Sequence, residues 1–500
     1  MTSSSKTDGN TLASNTIILI FGKAVGTISM IVLFIILSRL FSESEYGSVR
    51  QALMINKGLL EVFALGIPMS IYYFLSRLRD SRKKIFITQS LVMLGVLGLL
   101  CSFIVFMTAG LISEKFDNPE LEGLLRIFSL YPFFVLPTLA LESVLVTLGY
   151  TKRYALFLII DKAILLLLAT LAAVVFRSIE GFLAVLLIFS FVELIAATLL
   201  VKYSVSGLPP QENVTNLKDQ LSVALPTGVA NIVGILNVEL DKLIVSLFFS
   251  VEKFARYVNG AFEIPFIGTV ANATTSVLMP EYVRSYEEKN TQRMLDLWHG
   301  AIIKVAIIFI PLILFLLFNA GDFITLLFSD KYVGSVIIFQ IYLIAQLPKL
   351  TWYGPLLVAM GYSKEPLIAS LLSLVCNLIL NIYLIKLIGF SGPAVATVLT
   401  TYILVCYFLL RIKMVMGVGW ISLYPWYKLS LILVLSSVFG LAISYSLDQF
   451  ELPRITSLII GFCLYMALLL PAFRSINIIS SDDVDFVMKN LAKLMVIIKR

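Results

Sequence analysis

The chain has 500 residues, of which 59% are hydrophobic and only 14% charged, with a mean hydropathy of +0.96. Soluble domains run at about 45–50% apolar and about 25% charged, so composition excludes a soluble globular protein and points to an all-α, polytopic membrane protein. The net charge of +7 is no nucleic-acid signal here, because cytoplasmic loops of membrane proteins carry excess Lys and Arg; no nucleic-acid partner is expected.

The opening MTSSSKTDGNTLASN lacks a basic region followed by a short apolar core and a cleavage site, so the first apolar run is expected to be retained. Apolar runs of about 20 residues, each able to cross about 30 Å of hydrocarbon, then recur to the end. They predict helices at 15–40, 47–75, 85–112, 121–148, 153–176, 180–203, 220–249, 257–280, 297–319, 333–360, 366–387, 391–412, 424–446 and 454–473, about fourteen spans. The connections are short, so no extramembrane domain is expected. Cys101, Cys376, Cys406 and Cys463 all lie inside apolar runs without metal-like spacing and read as small core residues.

Loop charge sets the orientation. RLRDSRKK (77–84), GYTKRY (149–154), the 281–296 loop, GYSK (361–364), RIK (411–413) and the C-terminal tail are basic. The alternate loops FSESEY (41–46), SEKFDNPELE (113–122) and LDQFE (447–451) are acidic or nearly neutral. By the positive-inside rule both termini are cytoplasmic, and the sequon-like Asn213-Val-Thr falls on the wrong side for glycosylation. In the tail (475–500), Val484, Phe486, Leu491 and Met495 alternate with Lys489 and Lys493, which predicts an interfacial amphipathic helix over 482–500.

The chain repeats itself. LGYTK (148–152) returns as MGYSK (360–364), FMTAG (106–110) as LFNAG (317–321), Gly181 as Gly392, and FSESEYG (41–47) as FSVEKFA (249–255), all at nearly one offset. An even number of helices per copy gives two lobes of the same orientation, related by a pseudo-two-fold axis along the membrane normal. The expected organisation is an N-lobe at 1–203, a cytoplasmic linker at 204–219, a C-lobe at 220–412, two further helices at 413–474 and the amphipathic tail. Two equal lobes suit alternating access.

Enzyme signatures are missing: there is no GxxxxGK[ST], HExxH or GxSxG, and His299 is the single histidine. A membrane glycosyltransferase or a scaffold without transport remains an alternative, though the outer loops are short for a sugar-processing site. Ionisable residues within spans carry the functional signal, because they are costly in lipid and face cavities or partners. Lys23, Arg50, Lys57, Lys242, Lys304 and Lys349 together form a candidate cationic cleft for a phosphate or pyrophosphate group. The alternative is local pairing or snorkelling, and Lys57 with Glu61 at i,i+4 is the obvious local pair. Lys349 stands out because no acidic residue lies within one turn of it. Glu239, Lys162 and Glu193 join the list without a role, and Glu61, Asp161 and Glu263 are candidate gating or proton-linked acids.

A second cluster comes from the repeat. Asp241, Asn377, Asn381 and Thr397 fall at similar predicted depth, while their counterparts Leu33, Leu165, Ala169 and Leu186 are apolar. One carboxylate with neutral oxygens suits a small hard cation such as Na⁺; a hydrogen-bonded glue between helices is the alternative.

LSRLFSESEYGSVRQALMINKGLLEVFALGIP (37–68), VELDKLIVSLFFSVEKFARYVNGAFEIP (238–265), and GYSKEP with FSGPAVAT (390–397) resemble polysaccharide-biosynthesis flippases of the multidrug/oligosaccharidyl-lipid/polysaccharide exporter superfamily. The resemblance implies a flippase in the bacterial inner membrane. It would move undecaprenyl-diphosphate-linked oligosaccharide, an O-antigen or other surface-glycan repeat unit, to the outer leaflet. Helices 13 and 14 would then offer a groove for the lipid tail, and glycan polymerase machinery would be a partner. The resemblance to lipid II flippases implies Na⁺ coupling at helices 7, 11 and 12, where Asp241, Asn377, Asn381 and Thr397 fall; Asn381 stands where an acid is expected. H⁺ coupling, a lipid II-type substrate and a cation-coupled multidrug exporter are the alternatives.

Overall fold

A computed structural model describes residues 4–209, 217–450 and 452–478. The amphipathic helix expected over 482–500 and Asn213 lie outside these residues. The chain divides into two compact units, Met1–Val258 and Asn259–Arg500, and no strand occurs among the described residues.

The first unit begins with α1 (Ser4–Leu40), α2 (Glu43–Ala64), α3 (Ile67–Leu75) and α4 (Asp80–Lys115). It continues with α5 (Pro119–Ile127), α6 (Tyr131–Thr138), α7 (Ala140–Thr147), α8 (Thr151–Phe176) and α9 (Ile179–Ser204). By packing it also takes in α10 (Leu217–Phe248), while α11 (Val251–Gly260) crosses its end. α2 starts in a capping box: Ser42 accepts from the Glu45 amide and Glu45 from the Ser42 amide at 2.8 Å. It stops at Leu65 and Gly66, both left-handed, and α3 leaves at 40° with Pro68 in its first turn. Gly66 is required twice over. Its φ is +70°, and a Cβ there would meet the backbone of α10 at Ala224 and Gly228.

The second unit holds α12 (Pro265–Glu287), α13 (Thr291–Phe318), α14 (Ala320–Phe328), α15 (Val336–Gln346) and α16 (Tyr353–Ala359). It ends with α17 (Glu365–Ile388), α18 (Gly392–Met416), α19 (Trp420–Leu423), α20 (Trp426–Asp448) and α21 (Arg454–Ser475). Trp298, Tyr353, Phe408 and Tyr424 form an aromatic core there, with the two tyrosine hydroxyls 3.0 Å apart. The extra helices α20 and α21 pack on each other and on α13 and α14.

Among the described residues, ten stretches are long and apolar enough to cross a membrane, or eleven when the bent pair α2–α3 counts as one. Three local effects separate this from the fourteen predicted spans. The single stretch Glu365–Met416 folds into two helices, α17 and α18. α12 is too polar, with Asn272, Thr274, Thr275 and Ser276 in its middle. The predicted 333–360 span is broken into α15 and α16 across 347–352.

The repeated turns share one backbone pattern. In LGYTK, Gly149 has φ +83° and the Tyr150 amide donates to Leu145 O at 2.7 Å. In MGYSK, Gly361 has φ +90° and the Tyr362 amide donates to Leu357 O at 2.9 Å. Both are six-to-one closures of a helix C-terminus, which need a left-handed residue and so a glycine.

Candidate functional site

Five helices contribute residues of the first unit to the wall of a cavity of about 360 Å³. On α2, Arg50, Leu53, Met54, Lys57 and Leu60 recur at three- and four-residue spacing and present one face to it. Met30 and Phe34 of α1, Glu239 and Lys242 of α10, and Phe254 and Val258 of α11 each form an i,i+3 or i,i+4 pair on its wall, and Tyr131 of α6 completes it. The cavity therefore carries three cations against one carboxylate.

Glu239 bridges two of those cations. Lys57 Nζ lies 2.6 Å from its Oε1, and Lys242 Nζ lies 2.9 Å from its Oε2. Lys57 therefore pairs across to α10 rather than with Glu61; Glu61 is half-buried and forms no ion pair among the described residues. Arg50 is held differently. Its guanidinium stacks 4.0 Å from the centre of the Phe34 ring, and Nη1 donates to Tyr46 Oη at 2.8 Å. No carboxylate partners it among the described residues.

A buried polar network fixes α2 against α10 beside this cavity. Gln51 Nε2 donates to Ser246 Oγ at 2.7 Å, and Gln51 Oε1 accepts from Asn118 Nδ2 at 2.7 Å. Asn118 Nδ2 also reaches Ser48 Oγ, which donates to Glu120 at 3.0 Å. Gln51 is fully buried, so Gln51→Leu leaves Ser246 Oγ without its donor and Asn118 with only its Ser48 bond. It is expected to cost about 1–3 kcal/mol, read as a lower melting temperature of the purified protein in detergent; melting like the wild type would contradict this role.

The other predicted cations sit elsewhere. Lys23 pairs with Glu142 of α7 at 2.6 Å, and Glu142 also accepts from Tyr154. Lys349 pairs with Glu263 at 2.9 Å, so the lack of a nearby acid in sequence does not leave it alone in space. Lys304 is exposed on α13. Of the six, Arg50, Lys57 and Lys242 share the cavity. Asp161, buried on α8, has Lys162 Nζ 2.7 Å from Oδ2, an ion-pair contact without hydrogen-bond geometry. With Glu193 it lines a second, largely apolar groove of about 460 Å³ between α8 and α9.

Asp241 belongs to the first unit, where it is buried and accepts from Tyr257 Oη at 2.7 Å. Asn377, Asn381 and Thr397 belong to the second. Asn381 Nδ2 donates to Asn377 O at 2.8 Å and to Asn377 Oδ1, and Thr397 Oγ1 donates to Pro393 O at 3.2 Å. Asn381 Oδ1 is buried without a hydrogen-bond partner, as is Thr400 Oγ1 on α18. An orphaned amide oxygen of that kind suits a hard cation. Among the described residues, no group of three or more His, Cys, Asp and Glu forms a metal cluster.

One acid is missed in the sequence and another carries no role there. Glu142 was overlooked within an apolar run, although its charge at that depth was the signal. Glu239 was noticed without a role, although its i,i+3 spacing to Lys242 pointed to a shared face.

Residues 36–337 match the family described as polysaccharide biosynthesis protein. No curated protein matches the chain significantly. Among solved structures, a lipid II flippase MurJ in an inward closed conformation aligns at TM-score 0.69 and 18% identity, over 93% of this chain and 99% of that one. An inward-facing multidrug-resistance MATE transporter of the MOP superfamily aligns at 0.61 and 15% identity, over 78% and 94%. A MOP transporter from Pyrococcus furiosus, described as having a binding pocket of reverse polarity, aligns at 0.56 and 16% identity, over 81% and 95%. At these identities the likeness is one of fold: an all-α, polytopic membrane protein of the MurJ/MATE type.

Proposed function

The chain belongs to the polysaccharide biosynthesis protein family, and on that premise we propose that it is a flippase and not an enzyme. Its substrate is an undecaprenyl-diphosphate-linked oligosaccharide, an O-antigen or other surface-glycan repeat unit, moved by alternating access from the inner to the outer leaflet. The observation that carries this is the cavity where Arg50, Lys57 and Lys242 outnumber Glu239 within apolar helices. A net excess of cations in a low-dielectric wall attracts a diphosphate strongly, and Arg supplies a planar fork that matches phosphate oxygens. The same excess is unfavourable for the cationic compounds a multidrug exporter handles.

The location is the bacterial inner membrane with both termini cytoplasmic, supported by the alternation of basic and acidic loops. For coupling we assign Na⁺ to the oxygens of Asn377, Asn381 and Thr397 on α17 and α18, supported by the partnerless Asn381 Oδ1. Bound there, Na⁺ would supply a positive charge that the neutral oxygens hold in place.

Deleting the gene is expected to remove the surface glycan and to accumulate lipid-linked oligosaccharide in the cytoplasmic leaflet, with drug susceptibility unchanged. Normal surface glycan together with hypersensitivity to cationic drugs would favour the exporter instead.

A further inference from the structure

We propose that Glu239 is an internal stand-in for the substrate's diphosphate, holding Lys57 and Lys242 until the anion arrives and then yielding them. The inference rests on reading this cavity as the diphosphate site.

The geometry is that of a placeholder. One carboxylate uses both oxygens to satisfy ammonium groups from two different helices, Lys57 of α2 at 2.6 Å and Lys242 of α10 at 2.9 Å. Lys242 also donates to Val238 O at 3.2 Å, which keeps its head at the wall. The Lys57 side chain is 60% exposed and that of Glu239 only 20%, so Lys57 can turn toward an incoming anion while the carboxylate stays on the wall. Arg50, tied to Phe34 and Tyr46, has no carboxylate partner among the described residues and so meets an anion unopposed.

Charge counting agrees. A diphosphate diester between a lipid and a sugar carries two negative charges. The cavity's three cations and one carboxylate sum to two positive charges. A transport site must bind well enough to load and weakly enough to release. A competing carboxylate achieves this by lowering the fraction of cavities whose lysines are open, and apparent affinity falls by that fraction. Glu239 therefore sets affinity and release, whereas Lys57, Lys242 and Arg50 set recognition.

The test uses full-length protein in lipid nanodiscs, with inorganic pyrophosphate titrated at low ionic strength. Glu239→Gln is expected to bind about tenfold more tightly than the wild type, and to flip lipid-linked oligosaccharide more slowly because release is delayed. Lys57→Ala and Lys242→Ala are expected to bind more weakly. If both lysine variants weaken binding while Glu239→Gln leaves it unchanged or weaker, the stand-in role is overturned and the cavity reading stands. If pyrophosphate does not bind the wild type, or binds every variant alike, the cavity reading fails and this inference with it. Should Glu239→Gln fail to fold, Glu239→Asp carries the test. Its shorter carboxylate reaches one lysine at a time, so about threefold tighter binding is expected; unchanged or weaker binding overturns the proposal.

Discussion

Arg50→Ala is expected to cut flipping of the lipid-linked oligosaccharide about a hundredfold, the equivalent of roughly 3 kcal/mol of lost charge-assisted contact. Arg50 is the cavity cation with no carboxylate among the described residues, so its charge is undiminished by a neighbour. Phe34 and Tyr46 hold the guanidinium from one side, leaving its remaining N–H groups for a ligand. Folding should survive, because the lost cation–π contact is worth only about 0.5–2 kcal/mol. Arg50→Lys is expected to recover part of the rate and not all of it, since a point charge lacks the bidentate fork. Flipping at the wild-type rate in Arg50→Ala, with protein at normal levels, would remove Arg50 from the substrate site.

Asn381→Leu is expected to abolish any stimulation of transport by sodium. The wild-type side chain buries an oxygen with no partner, which by itself costs about 1–3 kcal/mol. A leucine of similar size removes that cost. If Asn381 only packs helices, the variant melts at or above the wild-type temperature in every salt. If its oxygen helps to hold Na⁺, the wild type gains stability with rising sodium, by about 2.7 kcal/mol at a hundred times the dissociation constant, and the variant gains none. Melting curves in sodium chloride and in choline chloride separate the two. Equal sodium-dependent stabilisation of both proteins would exclude Asn381 from an ion site.

The sequence revealed the class of the fold more readily than its breaks. Apolar runs of spanning length announce α4, α8, α9 and α13 directly, because each helix needs only its own residues to satisfy its backbone. The break at Leu65 and Gly66 does not show as a drop in hydropathy, since apolar residues predominate from Leu59 through Leu75. It depends on the close approach of Ala224 and Gly228 from a distant helix. Pairing was legible only over short spacing. Glu239 and Lys242 stand three residues apart and could be read as neighbours, but Lys57 finds Glu239 rather than the nearer Glu61. Lys349 likewise meets Glu263 from another helix. Composition reports which charges lie in the apolar phase, whereas their partners are fixed by helix packing. The repeat was the more reliable guide at short range, because the turns at Gly149 and Gly361 close with the same hydrogen bonds.

The most direct test is a flipping assay with the purified chain reconstituted into vesicles containing fluorescent undecaprenyl-diphosphate oligosaccharide. The accessibility of the sugar to an external enzyme is followed over time, with the Arg50→Ala, Lys57→Ala, Lys242→Ala triple variant alongside. The predicted result is rapid equilibration across the two leaflets with the wild type and the rate of empty vesicles with the triple variant. Wild-type vesicles no faster than protein-free ones, or a triple variant as fast as the wild type, would contradict the account.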